Sequence, residues 1–440
     1  MNVAEQIVAQ LVDAGVHRIY GIVGDSLNPI VDAVRKTGGS KKGGIDWIHV
    51  RHEEAAAFAA SAEAQLTGKL AVCAGSCGPG NLHLINGLYD ANRTGAPVLA
   101  IASHIPSVQI GTTYFQETHP DRIFEECSVY NELISSAAQS PRTVNSAIRH
   151  AVGLGGVSVI TLPGDVSDLK AVEHVPTYAP ARPATLAPNA TDIEEAAALL
   201  NKADKVAIFA GAGVEGAHDE VIALADALKA PIGHSLRGKH FIQYDNPFDV
   251  GMTGLLGYGA AAEGMNDADV LILLGTDFPY DQFLPSTPTI QVDTHAEKLG
   301  RRTDVGLAIH AQVKPFIEAL LPHLRANRSD SFLKSKIKKH SEIMHAPVGA
   351  YTRNVEKMRP IHPEYAAHLL NETAAKDAIF TADTGMCNVW TARYIDPLGT
   401  RRLIGSLLHG SMANALPMAL GAQVAYPDRQ VVSVSGDGGL

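Results

Sequence analysis

Four cysteines in 440 residues are too few for a disulfide framework. Cys73 and Cys77 have three residues between them, not the two of a Cys-x-x-Cys zinc or redox motif. With Cys127 and Cys387, they read as reduced and packed. Positive charge is also short. Lys and Arg total 36 against 46 Asp and Glu, a net charge of −10. That excludes a general nucleic-acid binder, because no broad basic field is there to release counterions. No apolar run reaches the length of a membrane span. Met1-Asn2-Val3-Ala4-Glu5-Gln6 has no basic segment followed by an apolar one, so no signal peptide is expected. The expected compartment is the cytoplasm.

Hydrophobic residues make up 46% and charged residues 19%, enough apolar material for several packed cores. At roughly 150 residues per domain, the length suggests three domains. A helical pattern over Ala4–Ala14 precedes strands at His17–Val23, Ile45–Val50, Leu70–Ala74, Val98–Ala102 and Val157–Leu162. Strands alternating with helices imply a parallel sheet covered on both faces. Pro176, Pro180, Pro183 and Pro188 break the pattern and mark a linker between His174 and Asp192. A second α/β unit has strands at Lys205–Ala210, Val270–Leu274 and Thr289–Val292. Lys334, Lys336, Lys338 and Lys339 follow, and read as a solvated helix face rather than a phosphate site. A third unit begins near Arg359, with strands at Ala378–Ala382 and Gln430–Ser435 around an Ala/Gly-rich helix. It is short for a domain and ends on a strand.

Four stretches could carry chemistry. Gly436-Asp437-Gly438-Gly439 sets a carboxylate among glycines at a strand end. It reads equally as a Mg²⁺–phosphate turn or as a hairpin turn. In Arg51-His52-Glu53-Glu54 the acids meet a helix start. They either complement its dipole or place a carboxyl group at the sheet edge, partly desolvated by Ala55–Ala60. Gly75-Ser76-Cys77-Gly78-Pro79-Gly80-Asn81 permits close approach by a ligand, or is a plain Pro-Gly turn. Gly211-Ala212-Gly213-Val214-Glu215-Gly216 matches G-x-G-x-x-G. The acids that follow, Asp219, Glu220 and Asp226, fall inside a helix, whereas Asp293 ends a strand. A nucleotide-type domain fits better than a simple NAD site.

These stretches together resemble the thiamine-diphosphate enzymes of the pyruvate oxidase and acetolactate synthase group, over essentially the whole chain. Besides the first three, the resemblance is carried by Gly24-Asp25-Ser26-Leu27-Asn28, Tyr114-Phe115-Gln116-Glu117-Thr118-His119-Pro120, Gly251-Met252-Thr253-Gly254, Gly275-Thr276-Asp277-Phe278-Pro279-Tyr280 and His409-Gly410-Ser411-Met412-Ala413-Asn414. It implies three doubly wound parallel-sheet α/β domains. They are a pyrimidine-binding domain at 1–180, an FAD-binding domain at 190–345 and a diphosphate-binding domain at 355–440.

By the same resemblance, Glu53 is the catalytic acid that touches the aminopyrimidine ring of thiamine diphosphate, and Glu54 has no such role. Gly410, Ser411 and Met412 lie against that cofactor, with Met412 propping it in a bent shape. Asp437 ligates Mg²⁺, and Gly438 and Gly439 adjoin the diphosphate. Phe115 and Gln116 match the substrate pocket. Met252, Thr253, Gly254, Leu255, Gly275, Thr276, Asp277, Phe278, Pro279 and Asp293 match the flavin segments.

The implied activity is oxidative decarboxylation of pyruvate to acetate and CO₂, with electrons passing through FAD to a quinone. The Thr118-His119-Pro120 continuation and the Gly-Ser-Cys-Gly-Pro-Gly-Asn wording favour the quinone-linked members. The alternatives are a carboligase with structural FAD, an oxygen-using oxidase that makes acetyl phosphate, and a non-catalytic flavin-binding fragment. The family's cofactor lies between chains, so a homo-oligomer is expected, a dimer at least and by preference a tetramer, a dimer of dimers. The family's metal motif continues past Asp437 to an Asn about one helix on, and the chain stops at Leu440. The expectation is therefore an incomplete third domain, without the amphipathic C-terminal segment that ties quinone-linked members to the inner face of the membrane. Such a form is expected to hold FAD but to bind thiamine diphosphate poorly and turn over little pyruvate.

Overall fold

The computed structural model describes residues 1–440 apart from 174–177, 180–183 and 327. Pro176, Pro180 and Pro183 of the expected linker lie outside the described residues. The described part of the linker ends at Asn189, which caps helix Ala190–Lys202 together with Asp192.

The chain forms two compact units. One comprises Met1–Arg182, Ile379–Gly385 and Ile404–Leu440, and the other Pro183–Ala378 and Met386–Leu403. In the first, β1 (Arg18–Gly21), β2 (Asp46–His49), β3 (Ala71–Gly75), β4 (Val98–His104), β5 (Tyr130–Leu133) and β6 (Val157–Pro163) form a sheet in the order β2-β1-β3-β4-β6-β5. Every pairing is parallel. β3, β4 and β6 are buried along their whole length, as parallel strands covered on both faces must be. Helix Glu53–Thr67 packs against helices Pro79–Thr94 and Ala415–Ala425. Ala56, Ala57, Ala59, Ala60, Ala62 and Ala64 are all buried. Small side chains let three helices meet closely, and the apolar positions surround the helix rather than forming one stripe.

In the second unit, β7 (Val206–Ala210), β8 (Ile232–His234), β9 (Asp249–Met252), β10 (Tyr258–Gly259), β11 (Val270–Leu274), β12 (Thr289–Asp293) and β13 (Leu307–His310) form a sheet ordered β10-β9-β8-β7-β11-β12-β13. Only β9–β10 is antiparallel. The first two glycines of the Gly211 motif are required by packing, and the third, Gly216, by its φ of +72. A Cβ on Gly211 would overlap the Gly275 carbonyl, and one on Gly213 would lie 2.6 Å from the Gly275 Cα.

The lysine-rich helix Ser331–Ile343 keeps Lys334, Lys338 and Lys339 exposed, as expected, and departs from that reading only at Lys336. Lys336 is buried, with Nζ 2.6 Å from Glu263 and 2.5 Å from Asp267. The two acids on helix Ala261–Asn266 and its C-cap pull that lysine inward, while Lys334 stays outside, paired with Asp330 at 2.8 Å.

A second buried lysine, Lys239, donates to Gln243 and lies 3.3 Å from the Tyr258 hydroxyl. Burial lowers its pKa to about 8, against the opposing pull of Asp396 and Asp249. The folded-state value lies below the unfolded one, so the charged lysine destabilises the fold. That cost is complete below about pH 8 and gone above the unfolded value, and is of order 3 kcal/mol. Lys239→Met is therefore expected to gain on the parent chain below pH 8 and to lose that advantage towards pH 10.5. Denaturant midpoints of both proteins at the two ends of the window check this.

The third sheet holds β14 (Ile379–Ala382), β15 (Arg402–Gly405) and β16 (Val431–Val434), ordered β15-β14-β16, with β14 and β16 parallel. Among the described residues no helix is long and apolar enough to cross a membrane.

Candidate active site

Helix Glu53–Thr67 starts just after β2. His52, extended at φ −153, caps it by accepting from the Glu54 amide at 3.2 Å through Nδ1. Glu53 takes the first helical position, where the helix dipole favours a carboxylate. It is nevertheless only 7% exposed. Glu53 is therefore both at the helix start and withdrawn from water. Glu53 Oε2 lies 2.9 Å from His83 Nδ1 on helix Pro79–Thr94, and the His83 ring stacks on His52 at 4.3 Å. A Cβ on Gly80 would come within 3.0 Å of Glu53 Oε1, so glycine leaves that oxygen open.

The same loop meets the Tyr114–Pro120 stretch. A Cβ on Gly78 would lie 2.8 Å from that of Gln116, and Cys77 Sγ is 3.4 Å from Gln116 Oε1. Gln116 sits at φ +63, a conformation costly for a residue with a side chain. Phe115 projects into solvent, 77% exposed, and does not line an enclosed pocket.

The Gly436–Gly439 turn is closed by the Gly439 amide donating to the Gly436 carbonyl at 3.0 Å. The strand it follows, β16, pairs in parallel with β14. Asp437 is exposed. Gly438 packs under Met412, where a Cβ would lie 2.8 Å from Cε, and Gly439 packs on the Asp383 carboxylate. Asp383, absent from the expected site, is 2% exposed. Its Oδ1 accepts from the Ala415 amide at 2.8 Å and Asn414 Nδ2 at 3.3 Å, while its buried Oδ2 has no partner among the described residues. Asn414 Nδ2 also donates to the Ser411 carbonyl at 2.7 Å. The Ser411–Ala415 segment and the Gly438–Gly439 turn therefore meet around Asp383 and Met412.

Asn86, also missed, joins it to the Glu53 helix. Its Nδ2 donates to Glu54 Oε1 at 2.5 Å and to Ser411 Oγ at 3.0 Å, and its Oδ1 accepts from His409 Nε2 at 2.8 Å. Burial, with Arg93 nearby, holds the His409 imidazole below its ordinary pKa, which suits a neutral ring donating through Nε2.

The expected flavin residues gather at the carboxyl ends of β9, β11 and β12, the edge at which open α/β sheets bind ligands. Met252 and Thr253 are buried, and Thr253 Oγ1 has no partner among the described residues. Gly254, at φ +94, lies beneath the Phe278 ring, and Leu255 is exposed. Thr276 is buried, and its carbonyl accepts from Gln291 Nε2 at 3.1 Å. Asp277 is tied to Arg301 and lies 3.4 Å from Arg302. Phe278 packs against Phe209, with ring centres 5.1 Å apart. Asp293 Oδ1 accepts from the His295 amide at 2.9 Å. Pro279 is exposed.

An orphaned buried carboxylate oxygen beside a glycine turn that carries a second carboxylate fits the donor set Mg²⁺ takes with a diphosphate. The unpartnered Thr253 hydroxyl and the crowded glycines fit a flat or phosphorylated ligand approaching backbone.

Comparison with known proteins agrees. Residues 1–123 match the N-terminal TPP binding domain of the thiamine pyrophosphate enzymes, 193–320 their central domain, and 383–440 their C-terminal TPP binding domain. The chain belongs to this family. Among its relatives, the putative thiamine pyrophosphate-containing protein YdaP of Bacillus subtilis is 36% identical over 441 residues, 99% of this chain and 75% of that protein. An uncharacterized 42.6 kDa protein in the isoamylase 3′ region of Pseudomonas amyloderamosa is 54% identical over 335 residues, 76% of this chain and 83% of its own. Pyruvate oxidase of Lactiplantibacillus plantarum is 30% identical over 438 residues, 97% and 70% of the two chains, and acetolactate synthases match at the same level.

Proposed function

We propose that the chain catalyses thiamine-diphosphate-dependent oxidative decarboxylation of pyruvate to acetate and CO₂, with FAD passing the electrons to a quinone. The observation that carries this reading is the meeting of two stretches beside Glu53. The Gly75–Asn81 loop and Tyr114–Pro120 hold the wording that favours the quinone-linked oxidases, and they touch through Gly78, Cys77 and Gln116.

Thiamine diphosphate, when bound, supplies a carbon nucleophile and an electron sink, and FAD a two-electron acceptor. The remaining work falls to the chain. Glu53, shielded from water, holds the proton exchanged with the aminopyrimidine ring nitrogen through Oε1, the oxygen Gly80 leaves open. Met412, half exposed above Gly438, would lie against the bound cofactor and support it. Asp437, with Asp383 as a second carboxylate, would hold Mg²⁺ and through it the diphosphate. Gln116 orients pyruvate, and Phe115 closes over it from its exposed position. Met252–Leu255, Gly275–Pro279 and Asp293 hold FAD. The working form is a homodimer or a tetramer, with each cofactor bound between chains.

Relatives at similar identity include acetolactate synthases, so the competing readings are a carboligase with structural FAD and an oxygen-using oxidase that makes acetyl phosphate. The flavin spectrum separates them. Pyruvate, thiamine diphosphate and Mg²⁺ added anaerobically are expected to bleach a yellow protein, and a soluble quinone analogue to restore the colour. An unbleached flavin with acetolactate as product favours the carboligase. Reoxidation by oxygen but not by quinone, with phosphate consumed, favours the third reading.

A further inference from the structure

His52, Glu53 and His83 each offer one ligand atom, and these atoms lie within 4.8 Å of one another. Their surroundings suit a soft-to-borderline cation. Glu53 is buried, whereas the His52 and His83 side chains are 49% and 45% exposed, so an ion reaches them from solvent while the carboxylate stays in low dielectric. The rings already stack, 26° from parallel. His52 Nδ1 serves as the helix cap, which leaves Nε2 for a ligand. Two imidazoles and one carboxylate, with a fourth position open to water, form a recurrent Zn²⁺ donor set. Mg²⁺, which prefers oxygen, has no reason to choose this site over Asp437.

We propose that His52, Glu53 and His83 bind a divalent transition ion of the zinc type when the cofactor is absent, and that ion and cofactor exclude each other through Glu53. The exclusion rests on the reading of Glu53 given above. The ion takes the place of the hydrogen between His83 Nδ1 and Glu53 Oε2. With bonds near 2.1 Å in a tetrahedron, donor atoms sit roughly 3.4 Å apart, so the His83–Glu53 pair opens from 2.9 Å and the half-exposed His52 ring swings in from a separation within 4.8 Å.

The test uses the full chain stripped of cofactors and metals, with Zn²⁺ titrated against a chromophoric chelator. One tight ion per chain is expected. His83→Ala and His52→Asn are each expected to weaken it at least tenfold. Asn at position 52 keeps the helix cap, so its loss of affinity is not a loss of fold. Thiamine diphosphate with Mg²⁺ is expected to raise the apparent zinc Kd in proportion to its concentration. Zinc affinity that survives both substitutions overturns the site. Zinc binding that both substitutions abolish but the cofactor leaves unchanged keeps the site and overturns the placement of Glu53 against the aminopyrimidine.

Discussion

Glu53→Gln is expected to lower kcat for pyruvate by about 10²–10⁴-fold, the usual worth of a positioned acid–base group, while thermal stability and flavin content stay near those of the parent chain. The substitution keeps the shape of the side chain and a polar partner for His83, 2.9 Å away, and removes only the ability to take and return a proton. Glu54→Gln is the control. Glu54 stands beside Glu53 in sequence, but its side chain is 34% exposed and accepts from Asn86 at 2.5 Å, which an amide oxygen also does. Its replacement is expected to cost less than about tenfold. Steady-state kinetics on both variants, with the anaerobic bleaching rate as a second readout, decides the matter. Equal losses in the two would mean that burial at the helix start does not single Glu53 out.

Most strands that could be read from sequence are buried on both faces, with β2 and β16 the half-buried exceptions. β7, β11 and residues 98–102 of β4 are continuous apolar runs, β6 is interrupted only by the buried Ser158 and Thr161, and β11 falls where expected, at Val270–Leu274. The strands that escaped lack such runs. β5 is Tyr-Asn-Glu-Leu at a sheet edge, half-buried, and β13 alternates buried with exposed positions. β8 is only three residues long, with Gly233 at its centre to admit Ala261.

The site divides in the same way. Glu53 and Asp437 stand out because a carboxylate at the end of a strand, beside a helix start or among glycines, is unusual. Asp383 carries the same signal in Thr381-Ala382-Asp383-Thr384-Gly385 and went unread, although its burial makes it the more constrained of the two acids on the third sheet. His83 and Asn86 carried no signal of their own. Polar residues three apart on a helix normally mark its wet side. Here they face helix Glu53–Thr67 and the Ser411 segment, and only the packing partner turns a polar stripe into part of the site.

That packing sets up the second large effect. Gly421 lies where helix Ala415–Ala425 crosses helix Glu53–Thr67. A Cβ there would overlap the Ala59 carbonyl oxygen and come within 2.8 Å of the Ala59 carbonyl carbon and Cα. These are backbone atoms of a helix interior and cannot swing aside, so even Gly421→Ala must move the helices apart. Phe58, Ala62 and Met418 are fully buried in the same contact and lose part of their packing when it opens. Overpacking of this kind costs about 1–3 kcal/mol, and Gly421→Leu is expected at or above the upper end. The two helices also carry the site. Glu53 begins one, and the Ser406–Asn414 loop leads into the other, joined to the first unit's helices through Asn86. Separation should therefore weaken thiamine diphosphate binding in the fraction that still folds, and the two losses should grow together from Ala to Leu. Gly68→Ala gives the contrast. Gly68 ends helix Glu53–Thr67 at φ +66 with nothing near a Cβ, so its substitution carries only the strain of a left-handed residue, about 1 kcal/mol. Denaturant unfolding paired with cofactor titration on the three variants distinguishes a helix crossing that positions the site from one that merely fills the core. A Gly421→Ala protein as stable as the parent chain would rule out the close crossing itself.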